Sequence, residues 1–164
     1  MIDAVIFDLD GTLIDLPIDY SKLFEEFSKI MKTPIAHPIT RAISKLDSHV
    51  KGEVFKVWDK AELAVLKNIT PRTEGVTLYK QFSPKPKALV TMQGKAFVRN
   101  VLEPLDLRFD FIFTRENSLD RVKQLKLAAQ KLHVQFQNVL FVGNTEDDKL
   151  AAEKVGCQYR GVKS

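Results

Sequence analysis

The chain has 164 residues, 45% hydrophobic and 28% charged, which is typical of a folded globular protein and excludes a disordered one. Its 25 lysines and arginines exceed its 21 acidic residues, and they are scattered, so the formal charge of +4 indicates a solvated surface. No apolar run approaches the roughly 20 residues of a membrane helix. No signal peptide or nucleic-acid-binding motif is visible, and a single cysteine fits a reduced compartment. We therefore expect a cytoplasmic protein that binds neither membranes nor nucleic acids.

Four short apolar runs, each followed by polar residues, predict the strands of a parallel sheet. These runs are residues 4–9, 89–92, 109–113 and 138–143. After the second, third and fourth runs, apolar residues recur at helical spacing. The predicted helices lie around residues 97–102, 122–132 and 150–155, with Gly156 placed to end the last one. Strands that alternate with helices predict an α/β protein with a Rossmann-like three-layer α/β/α core.

Residues 16–74 interrupt this alternation. Three segments there carry apolar residues at helical spacing, so we expect three helices and no strand. We predict that they form a small all-helical cap domain of residues 16–74, inserted after the first strand. The core domain would then comprise residues 1–15 and 75–164. Trp58 falls on the apolar stripe of the third helix and is interpreted as a core or interface residue.

The first strand runs into the sequence Asp8-Leu9-Asp10-Gly11. An extended chain points the two aspartates to the same side, and adjacent carboxylates need a proton or a cation between them. Gly11 permits a sharp turn directly afterwards. Because ligands of open α/β sheets bind beyond the carboxyl ends of the strands, this pair is a candidate site. A surface turn without function is the alternative.

Two other strand ends carry side chains suited to the same site. Thr91 and Gly94 follow the second run and lead into a helix, where a hydroxyl and free N–H groups form an anion site. Asn144, Asp147 and Asp148 follow the fourth run. Carboxylate and amide oxygens suit Mg²⁺, although acidic residues in the first turn of a helix are also ordinary caps.

In this order the motifs resemble those of the haloacid dehalogenase (HAD)-like hydrolase superfamily, in its phosphatase type with a helical cap of the first type. The resemblance spans the predicted core and rests on residues 8–12, Thr91 and residues 143–148, each following a strand. It implies a Mg²⁺-dependent, phosphoglycolate phosphatase-like enzyme that hydrolyses a small phosphorylated metabolite. The cap would close over the site and select the substrate.

The resemblance also implies roles for single residues. Asp8 would attack phosphorus and form an aspartyl-phosphate, while Asp10 would protonate the leaving alcohol and then activate water. The phosphoryl oxygens would be held by Thr91 and by the backbone N–H groups of Met92, Gln93 and Gly94. The Mg²⁺ ion would be held by the Asp8 carboxylate, the Asp10 backbone carbonyl and the Asn144 side chain, with Asp148 acting directly or through water.

The fourth motif departs from the superfamily pattern, which normally begins Gly-Asp. Here it reads Gly143-Asn144. An amide oxygen can coordinate Mg²⁺ but brings no negative charge. We therefore expect either weaker metal affinity than in a relative with aspartate, or a shifted role for Asp147.

The third motif departs as well, because the lysine that often precedes a proline in the superfamily is missing from residues 115–125. Arg121 and Lys123 both qualify to neutralise the charge of Asp8 and the phosphate. Arg121 lies nearer the start of the helix if Ser118 is the N-cap. Arg115, at the end of the third predicted strand, is a weaker third candidate.

An acid at position 10 indicates phosphoester hydrolysis or phosphoryl transfer, since superfamily members that cleave carbon–halogen bonds need no acid there. A phosphomutase would reuse the same residues, so it stays an alternative. A degenerate protein that binds phosphate or a partner without turnover is another, motivated by Asn144 and the missing Lys-Pro. The sequence is compatible with a monomer or a homodimer.

Overall fold

The computed structural model of the protein describes residues 1–34 and 36–163. In chain order its strands and helices are β1 (Ala4–Phe7), β2 (Ile14–Asp15), α1 (Tyr20–Met31), α2 (Ile39–Ser44), α3 (Ser48–Ala64), β3 (Thr70–Pro71), α4 (Thr73–Gln81), β4 (Lys87–Val90), α5 (Lys95–Leu102), β5 (Phe111–Phe113), α6 (Arg121–Leu132), β6 (Val139–Gly143), α7 (Glu146–Val155) and β7 (Gln158–Gly161). Short 3₁₀ turns lie at Leu66–Asn68 and Phe136–Asn138.

Five strands form one parallel sheet in the order β5-β4-β1-β6-β7. Strand β1 lies in the middle and pairs with β4 on one side and β6 on the other. Parallel strands present all their carboxyl ends at one edge, so the loops after β1, β4 and β6 are neighbours in space. The predicted parallel α/β core is therefore confirmed.

Successive residues of the strands face opposite sides, and each side is covered by two helices. Val5 and Phe7 of β1 belong to a cluster completed by α4 and α5, whereas Ile6 belongs to a cluster completed by α6 and α7. Both faces of the central strands are apolar for this reason, as a buried parallel sheet requires. The three-layer arrangement follows.

A third apolar cluster joins α1, α2 and α3. Phe27 of α1 is fully buried, and its ring centroid lies 5.4 Å from that of Trp58 of α3. Met92 and Leu119, which follow β4 and β5, pack against the same cluster. The three helices thus rest on the loops at the carboxyl edge of the sheet, and the interpretation of Trp58 as a core residue agrees with its position.

Several details of the sequence prediction are wrong. Thr70–Pro71, where we expected no strand, pairs antiparallel with Ile14–Asp15 and closes the helical insertion at its base. Helix α4 and strand β7 were not predicted, and α4 crosses the proposed boundary at residue 75. Ser118 is not the N-cap of α6, because Asp120 fills that position. The predicted division into core and cap domains stays a prediction.

Gly156 ends α7 with a φ of 95°, as predicted. Over the residues that the structure describes, no helix has the length and apolar character needed to span a bilayer.

Candidate active site

The loops after β1 and β6 meet at the hydroxyl of Thr12. Its Oγ1 lies 3.3 Å from Asp8 Oδ2 and 3.4 Å from Asn144 Oδ1, so one small side chain joins the two predicted metal ligands. Gly11 makes this approach possible with a φ of 80°. A Cβ atom at position 11 would lie 2.1 Å from Asn144 Nδ2, so even alanine would collide there.

Of the predicted candidate cations, Arg121 is the one in contact with the Asp8 carboxylate. Its Nη2 lies 2.8 Å from Asp8 Oδ1, its Nε lies 3.1 Å from Asp148 Oδ1, and its Nη1 donates to Gln124 Oε1 at 2.8 Å. The guanidinium thus bridges two buried carboxylates, which a single ammonium group does less well. Lys123 lies on the exposed surface of α6, and no contact with these carboxylates is recorded for it in the described part of the chain.

Gln124 orients the Arg121 guanidinium by accepting a hydrogen bond from it. It is fully buried, and its Nε2 donates to the backbone carbonyls of Thr91 and Ser118, both at 2.9 Å. The side chain therefore connects Arg121 to the loop after β4. The sequence analysis did not select Gln124; a glutamine three residues after the candidate cation, among the apolar residues of the helix, was the available signal.

The pKa of the Asp8 carboxyl group is raised well above the usual value for aspartate. Burial raises its pKa from 3.8 to about 7, the nearby carboxylate of Asp148 adds to the rise, and Arg121 opposes it. The carboxylate is therefore costly to ionise without a cation. Arg121 supplies part of the compensating charge.

The carboxyl group of Asp10 is directed toward the helical insertion. Its Oδ1 accepts from the backbone N–H of Leu16 at 3.3 Å, and its Oδ2 accepts from the Tyr20 hydroxyl at 3.1 Å. Burial raises the pKa of Asp10, while the bond from Tyr20 lowers it. Tyr20 begins α1 and was predicted only as part of its apolar face; nothing in the spacing of that helix distinguishes it from a packing residue.

The loop after β4 has fewer backbone N–H groups available to bind a phosphoryl group than the sequence predicted. The Gln93 N–H donates to Thr91 Oγ1 at 3.1 Å, and the Thr91 hydroxyl also pairs with the Gln93 side chain. The Gly94 N–H donates to Glu62 Oε1 of α3 at 3.1 Å. Two of the three backbone donors expected to hold a phosphoryl group are thus already bonded within the protein.

Asp148 has both of its oxygens engaged. Oδ2 accepts from the N–H groups of Asn144 and Thr145 at 3.2 and 3.4 Å, and Oδ1 pairs with Arg121. The Asp148 N–H donates in turn to Thr145 Oγ1, which completes a capping box at the start of α7. Asp148 therefore acts as a cap and as a partner of Arg121, while Asp147 is exposed in the first turn.

The donor set suits Mg²⁺ but is poor in charge. The described residues include no group of three or more histidine, cysteine, aspartate or glutamate side chains that could hold a metal. The predicted set depends instead on one carboxylate (Asp8), one amide (Asn144) and one backbone carbonyl (Asp10). Asp8 Oδ2 and Asn144 Oδ1 both lie close to the Thr12 hydroxyl, and all-oxygen sets are those that Mg²⁺ prefers.

Arg115 lies away from Asp8, in a buried ion cluster between α3 and the sheet. Its Nη1 lies 2.9 Å from Glu62 Oε2, and its Nη2 pairs with Asp59. Its guanidinium carbon lies 4.3 Å from the Trp58 ring centroid. A Cβ atom on Gly94 would approach both Asp59 and Arg115, so the glycine permits close docking of α3. Arg115 is thus excluded as the cation on Asp8.

No family model matches the sequence. A phosphoglycolate phosphatase of Neisseria meningitidis is 25% identical over 189 residues, which cover 98% of this chain and 80% of the relative. A hydrolase from Pseudomonas syringae has a TM-score of 0.74 at 22% identity, with 96% of this chain and 82% of that structure covered. A haloacid dehalogenase-like family hydrolase from Streptococcus pneumoniae has a TM-score of 0.69 at 20% identity, with 98% and 84% covered.

Proposed function

We propose that this chain, which has the fold of the HAD-like hydrolases, is a Mg²⁺-dependent phosphatase acting on a small phosphorylated metabolite. The resemblance of its motifs and its likeness to relatives named phosphoglycolate phosphatase support a phosphatase. The observation that carries the proposal is the buried Asp8 carboxylate between Arg121 and Thr12, at the carboxyl edge of the sheet.

In this proposal Asp8 is the nucleophile. Its carboxylate oxygen attacks phosphorus, the bond from phosphorus to the alcohol oxygen breaks, and an aspartyl-phosphate forms on Asp8. Water then attacks that phosphorus and releases inorganic phosphate. Arg121 favours the ionised form of Asp8 and offsets the repulsion between this carboxylate and the incoming phosphate.

Asp10 moves the proton. Burial favours its protonated form, so it can donate to the leaving alcohol and then take a proton from the attacking water. The Tyr20 hydroxyl donates to Asp10 Oδ2 and the Leu16 N–H donates to Oδ1, so both oxygens are oriented by the protein, and the bond to the oxygen that carries the proton opens during transfer. A protonated carboxylic acid next to an ionised one is the division of roles that two neighbouring carboxyl groups need for acid–base catalysis.

The phosphoryl oxygens bind to the Thr91 hydroxyl and the Met92 N–H. The Thr91 proton, which pairs with the Gln93 side chain in this structure, rotates toward the substrate. The N–H groups of Gln93 and Gly94 stay bonded to Thr91 and Glu62. The phosphoryl group therefore has fewer hydrogen-bond donors than the sequence analysis expected.

Mg²⁺ would be held by Asp8, the Asp10 carbonyl and Asn144, with Asp148 acting through water because its own oxygens are engaged. The ion would supply positive charge to the transferring phosphoryl group. The proposal also includes a cytoplasmic location, a core domain with a cap domain, and a monomeric or homodimeric state.

The test is hydrolysis of p-nitrophenyl phosphate with Mg²⁺ by the wild type and by Asp8→Asn and Asp8→Ala. We expect turnover in the wild type and only background hydrolysis in both variants, because the proposal assigns the nucleophile to Asp8 alone. Asp106→Asn is the matched control, since that side chain is 86% exposed and should leave the rate unchanged.

Two further assays, one with a labelled phosphate ester and one with a panel of esters, separate the alternatives. A phosphomutase would return labelled phosphate to an organic product, whereas a phosphatase would release it as inorganic phosphate. A degenerate protein would turn over none of a broad panel of phosphate esters. Equal rates in the wild type and Asp8→Ala would contradict the role of Asp8.

A further inference from the structure

A cavity of about 460 Å³ lies at the amino edge of the sheet, where β4 and β5 begin. Its lining includes Lys87, the first residue of β4, and Asp110, which directly precedes β5. A strand rises about 3.3 Å per residue, so Thr91 of the proposed phosphoryl site lies about 13 Å farther along the chain than Lys87. The cavity and the proposed active site are therefore at opposite edges of the sheet.

Both walls of this cavity have a fixed backbone. One wall is the turn of residues 83–87, with the sequence Ser-Pro-Lys-Pro-Lys, in which two proline rings restrict the chain. The other wall includes Arg108. The Arg108 N–H donates to the Tyr79 hydroxyl at 2.8 Å, and that hydroxyl donates to the Arg108 carbonyl at 3.0 Å. The cavity is thus formed before any ligand enters.

Lys87 is a buried cation whose bonded partners carry no charge. The residue is 6% exposed. Within the described part of the chain, its ammonium donates to the backbone carbonyls of Ser83 and Lys85 at 3.0 and 2.9 Å, and it lies 5.2 Å from the Tyr79 ring centroid. Burial lowers the pKa of Lys87, while the charge of Asp110 raises it. A buried cation without a bonded anion is costly, and an anion in the cavity would compensate it.

Two exposed cations, Lys85 and Arg108, also line the cavity. Arg108 has an ion pair with Asp106 at 3.7 Å, but both side chains are almost fully exposed, so this contact is weak. Among the described lining residues Asp110 is the one acid, and its Oδ2 accepts from the Lys87 backbone N–H at 2.8 Å. Three cations against one bonded carboxylate give the cavity a positive potential.

A purely structural role for Lys87 is the alternative. Lysine side chains often bind free carbonyls that follow a helix, and Ser83 and Lys85 follow the end of α4 at Gln81. That role explains the contacts of the Lys87 ammonium. It does not explain why Lys85 and Arg108 line the same cavity, and it predicts no affinity for anions.

We propose that this cavity is an anion site for a compact oxyanion with two or more negative charges, of the phosphate or diphosphate type. Lys87 contacts the anion from the buried side, and Lys85 and Arg108 contact it from the open side. Ammonium and guanidinium groups both bind phosphate oxygens through charge-assisted hydrogen bonds. A volume of about 460 Å³ also leaves room for atoms attached to the phosphate. The inference goes beyond the proposed phosphatase function and does not depend on it.

The experiment measures the binding of inorganic phosphate, diphosphate and glycerol phosphate by titration calorimetry, in metal-free buffer at constant ionic strength. We expect diphosphate to bind the wild type more tightly than phosphate does. Lys85→Gln and Arg108→Gln, made together, should weaken diphosphate binding about fivefold, as the loss of two exposed ion pairs allows. Lys87→Met should weaken it about tenfold or more, since it removes the buried charge. The ester shows whether the site takes the free ion or a phosphorylated molecule.

The matched control combines Arg99→Gln with Lys126→Gln, which removes the same charge from exposed positions outside the cavity. Its diphosphate affinity should equal that of the wild type. Absence of diphosphate binding in the wild type, full affinity in the Lys85 and Arg108 double variant, or an equal loss in the control would overturn the inference. If Lys87→Met does not fold, the double variant decides alone, because both of its side chains are exposed. Failure of the wild type to hydrolyse p-nitrophenyl phosphate would contradict the proposed function and leave this site supported.

Discussion

At the scale of single residues, the most consequential feature is the neutral side chain of Asn144. It lies at the position where the superfamily pattern has aspartate. The Thr12 hydroxyl lies within hydrogen-bond distance of both Asn144 Oδ1 and Asp8 Oδ2. Asp148 cannot supply the missing charge directly, because Arg121 and two N–H groups already occupy it. The proposed Mg²⁺ site therefore depends on one carboxylate, that of Asp8, which also contacts Arg121 and Thr12.

We predict that Asn144→Asp lowers the Mg²⁺ concentration for half-maximal activity by about tenfold or more, because unit charges about 4 Å apart attract by about 4 kcal/mol at intermediate dielectric. Desolvation reduces this gain. The measurement is a Mg²⁺ titration of phosphatase activity, together with the shift in melting temperature on adding Mg²⁺. Asn100→Asp, on the exposed face of α5, is the control. An unchanged Mg²⁺ requirement would exclude Asn144 as a ligand.

At the scale of elements, helix α3 is attached to the sheet by charges rather than by apolar contacts alone. Glu62, near the C-terminus of this helix, is completely buried between the Arg115 guanidinium and the Gly94 N–H. Burial raises the pKa of Glu62 above 4.5, and Arg115 opposes the rise. The folded protein then holds the Glu62 proton to a higher pH than the unfolded chain does.

Glu62 therefore contributes stability that is fully present below about pH 4.5 and is lost as the pH rises through the higher pKa of the folded state. We predict that the free energy of unfolding of Glu62→Gln, relative to wild type, improves by about 1 kcal/mol or more between about pH 4 and about pH 7. Urea unfolding at a series of pH values measures this change. Glu26→Gln, an exposed position of α1, should show no such trend. A relative loss of stability toward neutral pH would mean that Arg115 outweighs burial.

At the scale of the whole molecule, the helical insertion has its own apolar cluster, separate from the two clusters that flank the sheet. The buried ion cluster around Arg115 connects the two parts. Trp58 is the single tryptophan of the chain and is 3% exposed within the insertion, so its fluorescence reports on the insertion and on its contact with Arg115. Circular dichroism reports mainly on the helices of the entire chain.

We predict that the two signals unfold together in the wild type and separately in Arg115→Met, with Trp58 changing first. Removing one partner of a buried ion cluster costs about 3–5 kcal/mol, because the remaining charges stay buried without compensation. Arg99→Met, an exposed arginine of α5, is the control. If Arg115→Met does not fold, Asp59→Asn makes a milder version of the same test. Coincident transitions in these variants would show that the apolar contacts alone couple the two parts.

The elements that the sequence predicted are those with a local signal. Strands β1, β4 and β6 are short apolar runs because both of their faces are buried, whereas β5 is an apolar run at one edge of the sheet, where Ile112 is exposed. Helices α5, α6 and α7 repeat apolar residues every turn. Strand β7 lacks this signal, since its residues at the other edge of the sheet are mostly polar and largely exposed. Strands β2 and β3 have two residues each. They form only because the two ends of the helical insertion, at residues 14–15 and 70–71, pair with each other.

The sequence by itself determined that Asp8, Thr91 and Asn144 lie at one edge of the sheet, because parallel strands place their carboxyl ends together. It could not choose between Arg121 and Lys123, since both lie near the start of the same helix. Only the tertiary structure decided that Arg121 reaches Asp8 and that Arg115 is engaged with α3. Those choices depend on which side chains meet across elements far apart in the chain, and local spacing carries no information about such contacts.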